Sequence, residues 1–173
     1  VKRVRDAGIV GLGGAGFPTA VKLTPKMKVD TFIINGAECE PYLTRDYRIM
    51  KEHTDEVVRG ARYMAKALGV ENIMIGIELN KPDCIEAFEK YDDIKVVALR
   101  KIYPMGGEKQ LIYSATKRKV KLGQLPADAG VIVNNAATCL AVCEAVELGK
   151  PDCEAILTVS GRAVKNQLNV KVP

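Results

Sequence analysis

The sequence predicts an α/β fold in which a parallel sheet is flanked by helices and followed by the start of a β-rich unit. Three observations support this prediction. Short, continuous apolar segments rich in β-branched residues recur along the chain, and segments with helical periodicity separate them. After Pro151 the pattern changes to a strand-like segment with a glycine turn and no following helix. Alternating strands and helices are typical of α/β domains with right-handed crossovers.

Four apolar segments are the predicted strands of the sheet. Because they are apolar along their whole length and do not alternate, we expect helices to cover both of their faces. The predicted strands are residues 31–35, 73–77, 95–99 and 131–134. Helical spacing of apolar residues, with proline starts or glycine stops, predicts helices over residues 55–68, 82–90, 108–116 and 138–148.

The segment after Pro151 predicts a different kind of unit. Residues 155–161 form a strand followed by a glycine turn, and they are followed by a polar stretch. We therefore predict two domains, an α/β domain over residues 1–153 and the truncated beginning of a β-rich domain over residues 154–173. The absence of an initial Met and the abrupt end lead us to expect a piece of a longer protein.

Composition excludes several classes of function. The chain of 173 residues has a net charge of +5, six tyrosines, three phenylalanines and no tryptophan, so a base-stacking platform for nucleic acid is not expected. There is no secretory signal and no apolar run long enough to span a bilayer directly. Five cysteines without a Cys-x-x-Cys pair indicate a reducing cytoplasm, and no metal-ligand set or catalytic constellation is predicted.

The most informative motif is a glycine-rich loop near the start of the chain. Its glycines are Gly11, Gly13, Gly14 and Gly16, and three of them satisfy G-x-G-x-x-G. Such a loop allows positive φ angles and close approach of backbone N–H groups, which suits a phosphate or a planar phosphorylated cofactor. Phe17 adds a flat apolar face beside that backbone. A tight turn that packs a helix on a sheet explains the glycines equally well.

Polar residues follow the predicted strands, where ligands bind in doubly wound sheets. The amides of Asn35, Asn134 and Asn135 offer donors and acceptors that match ribityl hydroxyls and a flavin ring edge. Each taken alone is also typical of a turn or cap residue. Lys22 is a candidate for neutralising a phosphate. Carboxylates that could accept from ribose hydroxyls are Glu38, Glu40 and Glu108, although Glu108 also suits the first turn of a helix.

Three cysteines and one basic stretch carry further predictions. Cys139 and Cys143 lie four residues apart on one helical face and are predicted to be buried core residues. Cys39 lies inside the predicted site loop and is a candidate for lining it. The basic stretch at residues 117–121 predicts a solvated loop, with a docking surface for an acidic electron-transfer partner as the alternative.

Five segments, in order, resemble one known family. They are residues 11–23, 33–42, 76–82, 103–111 and 125–131. Together they resemble the C subunit of the Rnf electron-transport complex and, more distantly, the flavin-binding subunit of respiratory complex I. The chain departs from the complex I pattern at Ala37 and at the pair Gly107 and Glu108, where that pattern has acidic residues.

The resemblance implies a Rossmann-like domain that binds FMN, accepts a hydride from NADH and passes electrons to iron–sulfur centres. It implies that the second domain is β-grasp-like and that the [4Fe–4S] centres belong to a part of the protein beyond residue 173. The chain alone is then not expected to complete electron transfer. Residues implied to face the nicotinamide nucleotide are Phe17, Glu38 and Glu40. Residues implied to hold FMN are Gly11, Gly13, Gly14, Lys22, Asn35, Tyr103, Gly106, Glu108, Asn134 and Asn135.

The expected partners follow from the same resemblance. They are NADH and the other subunits of a membrane electron-transport complex, which would associate this cytoplasmic chain with a membrane. A soluble relative of the proline reductase-associated or corrin reductase type is an alternative. A binding or assembly module that has lost its flavin is a second alternative, because the acidic positions named above are altered.

Overall fold

The computed structural model describes residues 1–173 and confirms the α/β fold. Its parallel sheet has the order β3-β2-β1-β4, formed by β1 (Thr31–Asn35), β2 (Asn72–Glu78), β3 (Ile94–Leu99) and β4 (Val131–Asn135). The helices are α1 (Lys2–Asp6), α2 (Thr19–Lys22), α3 (Arg45–Glu52), α4 (Thr54–Leu68), α5 (Pro82–Phe88), α6 (Glu108–Thr116) and α7 (Ala136–Glu147), with a 3-10 turn at Pro126–Ala129. An antiparallel hairpin of β5 (Ala155–Val159) and β6 (Leu168–Val172) ends the chain.

Both faces of the sheet are covered, as the continuous apolarity of the strands predicts. On one face, Phe32, Ile34 and Ile75 join a large apolar core with residues of α4 and α7. On the other face, Ile33 and Val133 pack in a smaller core that includes buried residues of α6. Burying each of these side chains contributes about 1.5–3 kcal/mol to folding.

Helices α4 and α7 meet backbone to backbone at Gly60. A Cβ atom built on Gly60 would lie only 1.8 Å from the carbonyl oxygen of Cys139. Cys139 and Cys143 are fully buried, which confirms the prediction that they are core residues. Glycine at this position therefore lets the two helices approach more closely than any other residue would allow.

The strand order creates a reversal of direction between β1 and β4. From β1 the chain moves outward through β2 to β3, and then returns to place β4 on the opposite side of β1. Ligands in open α/β sheets bind at such a reversal, outside the carboxyl ends of the strands. Asn35 and Asn135 are register partners at these two strand ends.

The terminal hairpin is attached to the start of α3 through polar contacts. The Thr44 N–H donates to Thr158 Oγ1 at 3.2 Å, and Asn169 Nδ2 donates to Thr44 Oγ1 at 3.1 Å. A cleft of about 130 Å³ lies beside it, with Ile49, Leu140 and Ile156 in its lining. The boundary between residues 153 and 154 stays a prediction. No helix combines the length and apolarity needed to cross a membrane.

Helix α5 is held against α3 by Asp83, which predicts a specific acid response. Hydrogen bonds from Lys51 and then Tyr47 lower the pKa of Asp83 from 3.8 to about 2. A lowered pKa means that this carboxylate stabilises the fold fully above about pH 4, and that the stabilisation is lost as the pH falls through about 2. We expect Asp83→Asn to lose less than about 1 kcal/mol at pH 6, since the pair is partly exposed.

The pH dependence distinguishes this effect from a general loss of stability. In urea unfolding followed by circular dichroism, the difference between wild type and Asp83→Asn should shrink as the pH falls from 4 towards 2. The exposed Asp92→Asn on the following loop is the matched control and should show no such trend. A difference that stays constant with pH would contradict the role of the Asp83 carboxylate.

Candidate functional site

Three loops converge at the carboxyl ends of β1 and β4. The glycine loop lies on Asn135, since a Cβ atom on Gly13 would lie 3.2 Å from the Asn135 Cβ atom. The loop before α6 reaches Asn35, whose Nδ2 donates to the Gly106 carbonyl at 2.9 Å. The loop leaving β1 packs on the same glycine, because a Cβ on Gly106 would lie 3.0 Å from the Ala37 carbonyl oxygen. The convergence predicted from the strand ends is therefore present.

The glycine loop is a closed hairpin and not a strand-to-helix turn. Val10 and Pro18 form an isolated antiparallel bridge, and the Gly11 N–H donates to the Phe17 carbonyl at 2.8 Å. The Leu12 N–H donates to Thr138 Oγ1 at 3.0 Å, which fixes the loop over the start of α7. Gly14 has φ +113°, a conformation that favours glycine.

The tip of this loop presents unpaired backbone donors. The N–H groups of Gly13, Gly14 and Ala15 donate to no protein acceptor, and all three residues are exposed. Consecutive N–H groups of this kind form a concave site for anions. The three groups are thus available to water or to an anionic ligand, and the arrangement is compatible with both a ligand-binding loop and a tight turn.

The side chains of Asn35 and Asn135 both accept from the backbone N–H two residues later, Asn35 in a turn and Asn135 as a helix cap. Asn35 Oδ1 accepts from the Ala37 N–H at 3.1 Å, and Asn135 Oδ1 accepts from the Ala137 N–H at 2.9 Å, which makes it the N-cap of α7. Both side chains therefore hold the loops of the site in place, and their contacts with a cofactor stay predictions. Asn134 is 3% exposed and donates to Met64 Sδ at 3.3 Å inside the core, away from its neighbour Asn135.

Lys22 and Glu108 form an ion pair between α2 and the first turn of α6. Lys22 Nζ lies 2.6 Å from Glu108 Oε1. Two predicted site residues are therefore brought together, and the pair links the segment after the glycine loop to the helix after Gly106. The Glu108 side chain is 42% exposed, so the pair is accessible to solvent and to a ligand.

The Glu38 side chain is buried and caps helix α3. Its carboxylate accepts from the N–H groups of Asp46 at 2.9 Å and Tyr47 at 3.3 Å. Burial raises the pKa of Glu38 above its ordinary value. The Glu38 carboxylate thus caps α3, and its contact with a nicotinamide nucleotide stays a prediction. Glu40, two residues later, is exposed.

Two aromatic side chains and one cysteine complete the predicted set. Phe17 is 50% exposed and Tyr103 is 67% exposed, so both offer free ring surface near the loops. Cys39 lies beside Gly106, since its Sγ would be 3.1 Å from a Cβ at that position. Cys39 therefore occupies the site loop, as the sequence suggested.

Sequence reasoning missed a group of buried charges behind these loops. Glu78 ends β2 and is 1% exposed, and Lys81 three residues later is 7% exposed. Lys81 Nζ donates to Glu78 Oε2 at 2.7 Å, and Asn135 Nδ2 donates to Asp46 Oδ2 at 2.6 Å. The available signal was a glutamate directly following a continuous apolar strand, where a buried carboxylate requires a partner.

Comparison with known proteins gives consistent matches. The sequence profile of the Nuo51 FMN-binding domain matches residues 4–144. The chain is 51% identical to the C subunit of the proton-translocating ferredoxin:NAD(+) oxidoreductase complex of Clostridium ljungdahlii, covering 98% of this chain and 38% of that protein. It is 47% identical to the C subunit of the Na(+)-translocating ferredoxin:NAD(+) oxidoreductase complex of Acetobacterium woodii, covering 99% and 40%.

A solved structure shares the fold. A chain of the NAD+-reducing [NiFe]-hydrogenase in the H2-reduced state superposes with a TM-score of 0.80 at 23% identity, covering 99% of this chain and 36% of that chain. At this identity the likeness concerns the fold. The chain spans about two fifths of the length of the two curated relatives, at 38% and 40%.

Proposed function

The chain belongs to the family of the Nuo51 FMN-binding domain, and on this premise we propose that it binds FMN at the carboxyl ends of β1 and β4. We propose further that it accepts reducing equivalents from NADH as part of an electron-transfer complex. The observation that carries the proposal is the row of unpaired N–H groups on the glycine loop, which lies directly against Asn135.

The residues present fit the phosphate of such a cofactor. The free N–H groups of Gly13 and Gly14 supply donors that need no side-chain rearrangement. Lys22 supplies the positive charge, provided that it exchanges its partner Glu108 for the phosphate. Hydrogen bonds to a charged group contribute about 1.5–3 kcal/mol each, so a few of these donors suffice for micromolar affinity.

The remaining residues of the site would shape and cover the cofactor. The side-chain amides of Asn35 and Asn135 fix the loops at the two strand ends, and the exposed rings of Phe17 and Tyr103 offer flat surface for a planar ring. When bound, FMN would supply hydride acceptance and onward transfer of single electrons, while the protein supplies orientation and polarity.

The proposed partners, electron donor and further cofactors rest on relatives that are longer than this chain. We propose that the chain works with other subunits of an ion-translocating ferredoxin:NAD(+) oxidoreductase complex, as the names of its relatives state for them. The same proposal includes three further points. They are NADH as the electron donor, [4Fe–4S] centres in a part of the protein outside these residues, and a β-grasp-like character of the segment after residue 153.

Fluorescence titration of FMN with the purified chain tests the flavin site. We expect quenching with a Kd in the micromolar range or below, and binding of riboflavin, which lacks the phosphate, that is weaker by about tenfold or more. Lys22→Met should weaken FMN binding by about three- to tenfold and leave riboflavin binding unchanged.

Lys28→Met is the matched control, because Lys28 is exposed and lies on the loop between α2 and β1. Addition of NADH to the FMN-loaded chain without oxygen should then bleach the flavin absorbance. A folded chain that does not quench FMN at about 100 µM, or that binds riboflavin as tightly as FMN, would exclude the proposed phosphate cradle.

A further inference from the structure

Buried charges lie directly behind the loop that leaves β1. The side chains of Glu78, Lys81 and Glu38 are 1%, 8% and 3% exposed. Lys81 Nζ lies 2.7 Å from Glu78 Oε2 and 3.9 Å from Glu38 Oε2, so one ammonium group serves two carboxylates. Such a group is costly to bury, and replacing it with apolar residues is often neutral or stabilising. Apolar burial alone therefore does not explain why these residues are charged.

The contacts of the group are directed at one segment of backbone. Glu78 Oε2 accepts from the Glu38 N–H at 3.4 Å, and the Glu38 carboxylate in turn accepts from the N–H groups of Asp46 and Tyr47. The segment between β1 and α3 is thus fixed at Glu38 through both its backbone and its side chain. Lys81 stabilises the arrangement by partly neutralising both carboxylates.

The same segment forms a wall of the candidate site. Its residues Ala37 and Cys39 pack against Gly106, whose carbonyl accepts from Asn35. A shift of Glu38 would move this wall relative to the glycine loop. The second oxygen of Glu78, Oε1, is buried and has no hydrogen-bond partner within the protein, so the contacts of this carboxylate are all made through Oε2.

We propose that Glu78 and Lys81 are positioning residues, which act through Glu38 to hold the segment at residues 36–41 in the shape that the site requires. The effect on flavin binding rests on the proposed function, whereas the effect on the segment does not. Neither residue contacts the glycine loop, Lys22 or Glu108 by hydrogen bond or ion pair.

Amide hydrogen exchange of this chain, measured residue by residue by NMR, tests the proposal. In Glu78→Gln and in Lys81→Met, the amides of Asp46 and Tyr47 should exchange about tenfold faster, while amides of α4 keep their rates. FMN affinity should fall by about three- to tenfold in parallel. Lys81→Arg, which keeps the positive charge, should have exchange rates and an FMN affinity close to those of the wild-type chain.

Two comparisons control the result. Glu154→Gln removes an exposed carboxylate that pairs with Lys150 and Lys171, and it should change neither the exchange of Asp46 nor FMN affinity. In a Glu38→Gln background, Glu78→Gln should cause little further increase in the exchange rates of Asp46 and Tyr47 and little further loss of FMN affinity. The reason is that Glu78 acts through Glu38.

Several outcomes would overturn the proposal. Unchanged exchange at Asp46 and Tyr47 would show that the pair does not hold the segment, and equally faster exchange throughout the chain would show a general loss of stability. Faster exchange with unchanged FMN affinity would show that the segment does not shape the site. If the wild-type chain fails to bind FMN, the proposed function fails, and the exchange rates still decide whether the pair holds the segment.

Discussion

Replacing Gly60 with alanine is expected to destabilise the chain by about 3 kcal/mol or more. The added Cβ would lie 1.8 Å from the Cys139 carbonyl oxygen and 2.7 Å from its carbonyl carbon. These are backbone atoms of α7, so no side chain can rotate away and the two helices must separate. Helix propensity alone predicts the opposite sign, because alanine is favoured over glycine by about 1 kcal/mol in a helix interior.

Urea unfolding followed by far-ultraviolet circular dichroism measures this effect. The exposed Lys66→Ala in the same helix is the control, and we expect it to change the free energy of unfolding by less than about 0.5 kcal/mol. A Gly60→Ala variant as stable as wild type would show that α4 and α7 do not touch at this position.

Replacing Gly13 with valine is expected to weaken FMN binding by about 10- to 100-fold with little loss of stability. The Cβ of residue 13 would lie 3.2 Å from the Cβ of Asn135, and the two methyl groups of valine enlarge the conflict. Because the loop is exposed, it can move away and relieve the strain. Its free N–H groups would then lose their position, and the loss of one charge-assisted hydrogen bond amounts to about 1.5–3 kcal/mol.

Equilibrium titration with FMN measures this loss, and thermal unfolding confirms that the variant is folded. Ala98→Val, at an exposed position of the edge strand β3, adds the same two methyl groups and should bind FMN like wild type. Wild-type affinity in Gly13→Val would mean that the glycine loop is only a turn.

The sheet could be predicted from the sequence because each strand is apolar along its length. The four predicted strands agree with the structure to within one residue at each end. Helix α3 was missed, since its first turn is capped by Glu38 from a separate loop, a tertiary contact that local patterns do not contain. Helix α1 was missed because it is five residues long with a single buried residue, Val4.

The candidate site was predicted in its parts but not in its connections. The strand-end amides and the glycine loop could be found because topology brings strand ends together. A turn or cap role for Asn35 and Asn135 was an alternative that the sequence offered, but the sequence did not reveal that Asn134 faces the core or that Lys22 pairs with Glu108. Each of these facts depends on the direction of a side chain, which follows from packing and not from order along the chain.

We propose above that a flavin binds between the glycine loop and the ends of β1 and β4. The most direct test is to map amide chemical shifts of the isotope-labelled chain during titration with FMN. We predict the largest shifts at the amides of Gly13, Gly14 and Ala15, followed by those near Gly106 and Asn135. Shifts confined to the cleft between α7 and the terminal hairpin, or no shifts at millimolar FMN, would contradict a flavin site at these strand ends.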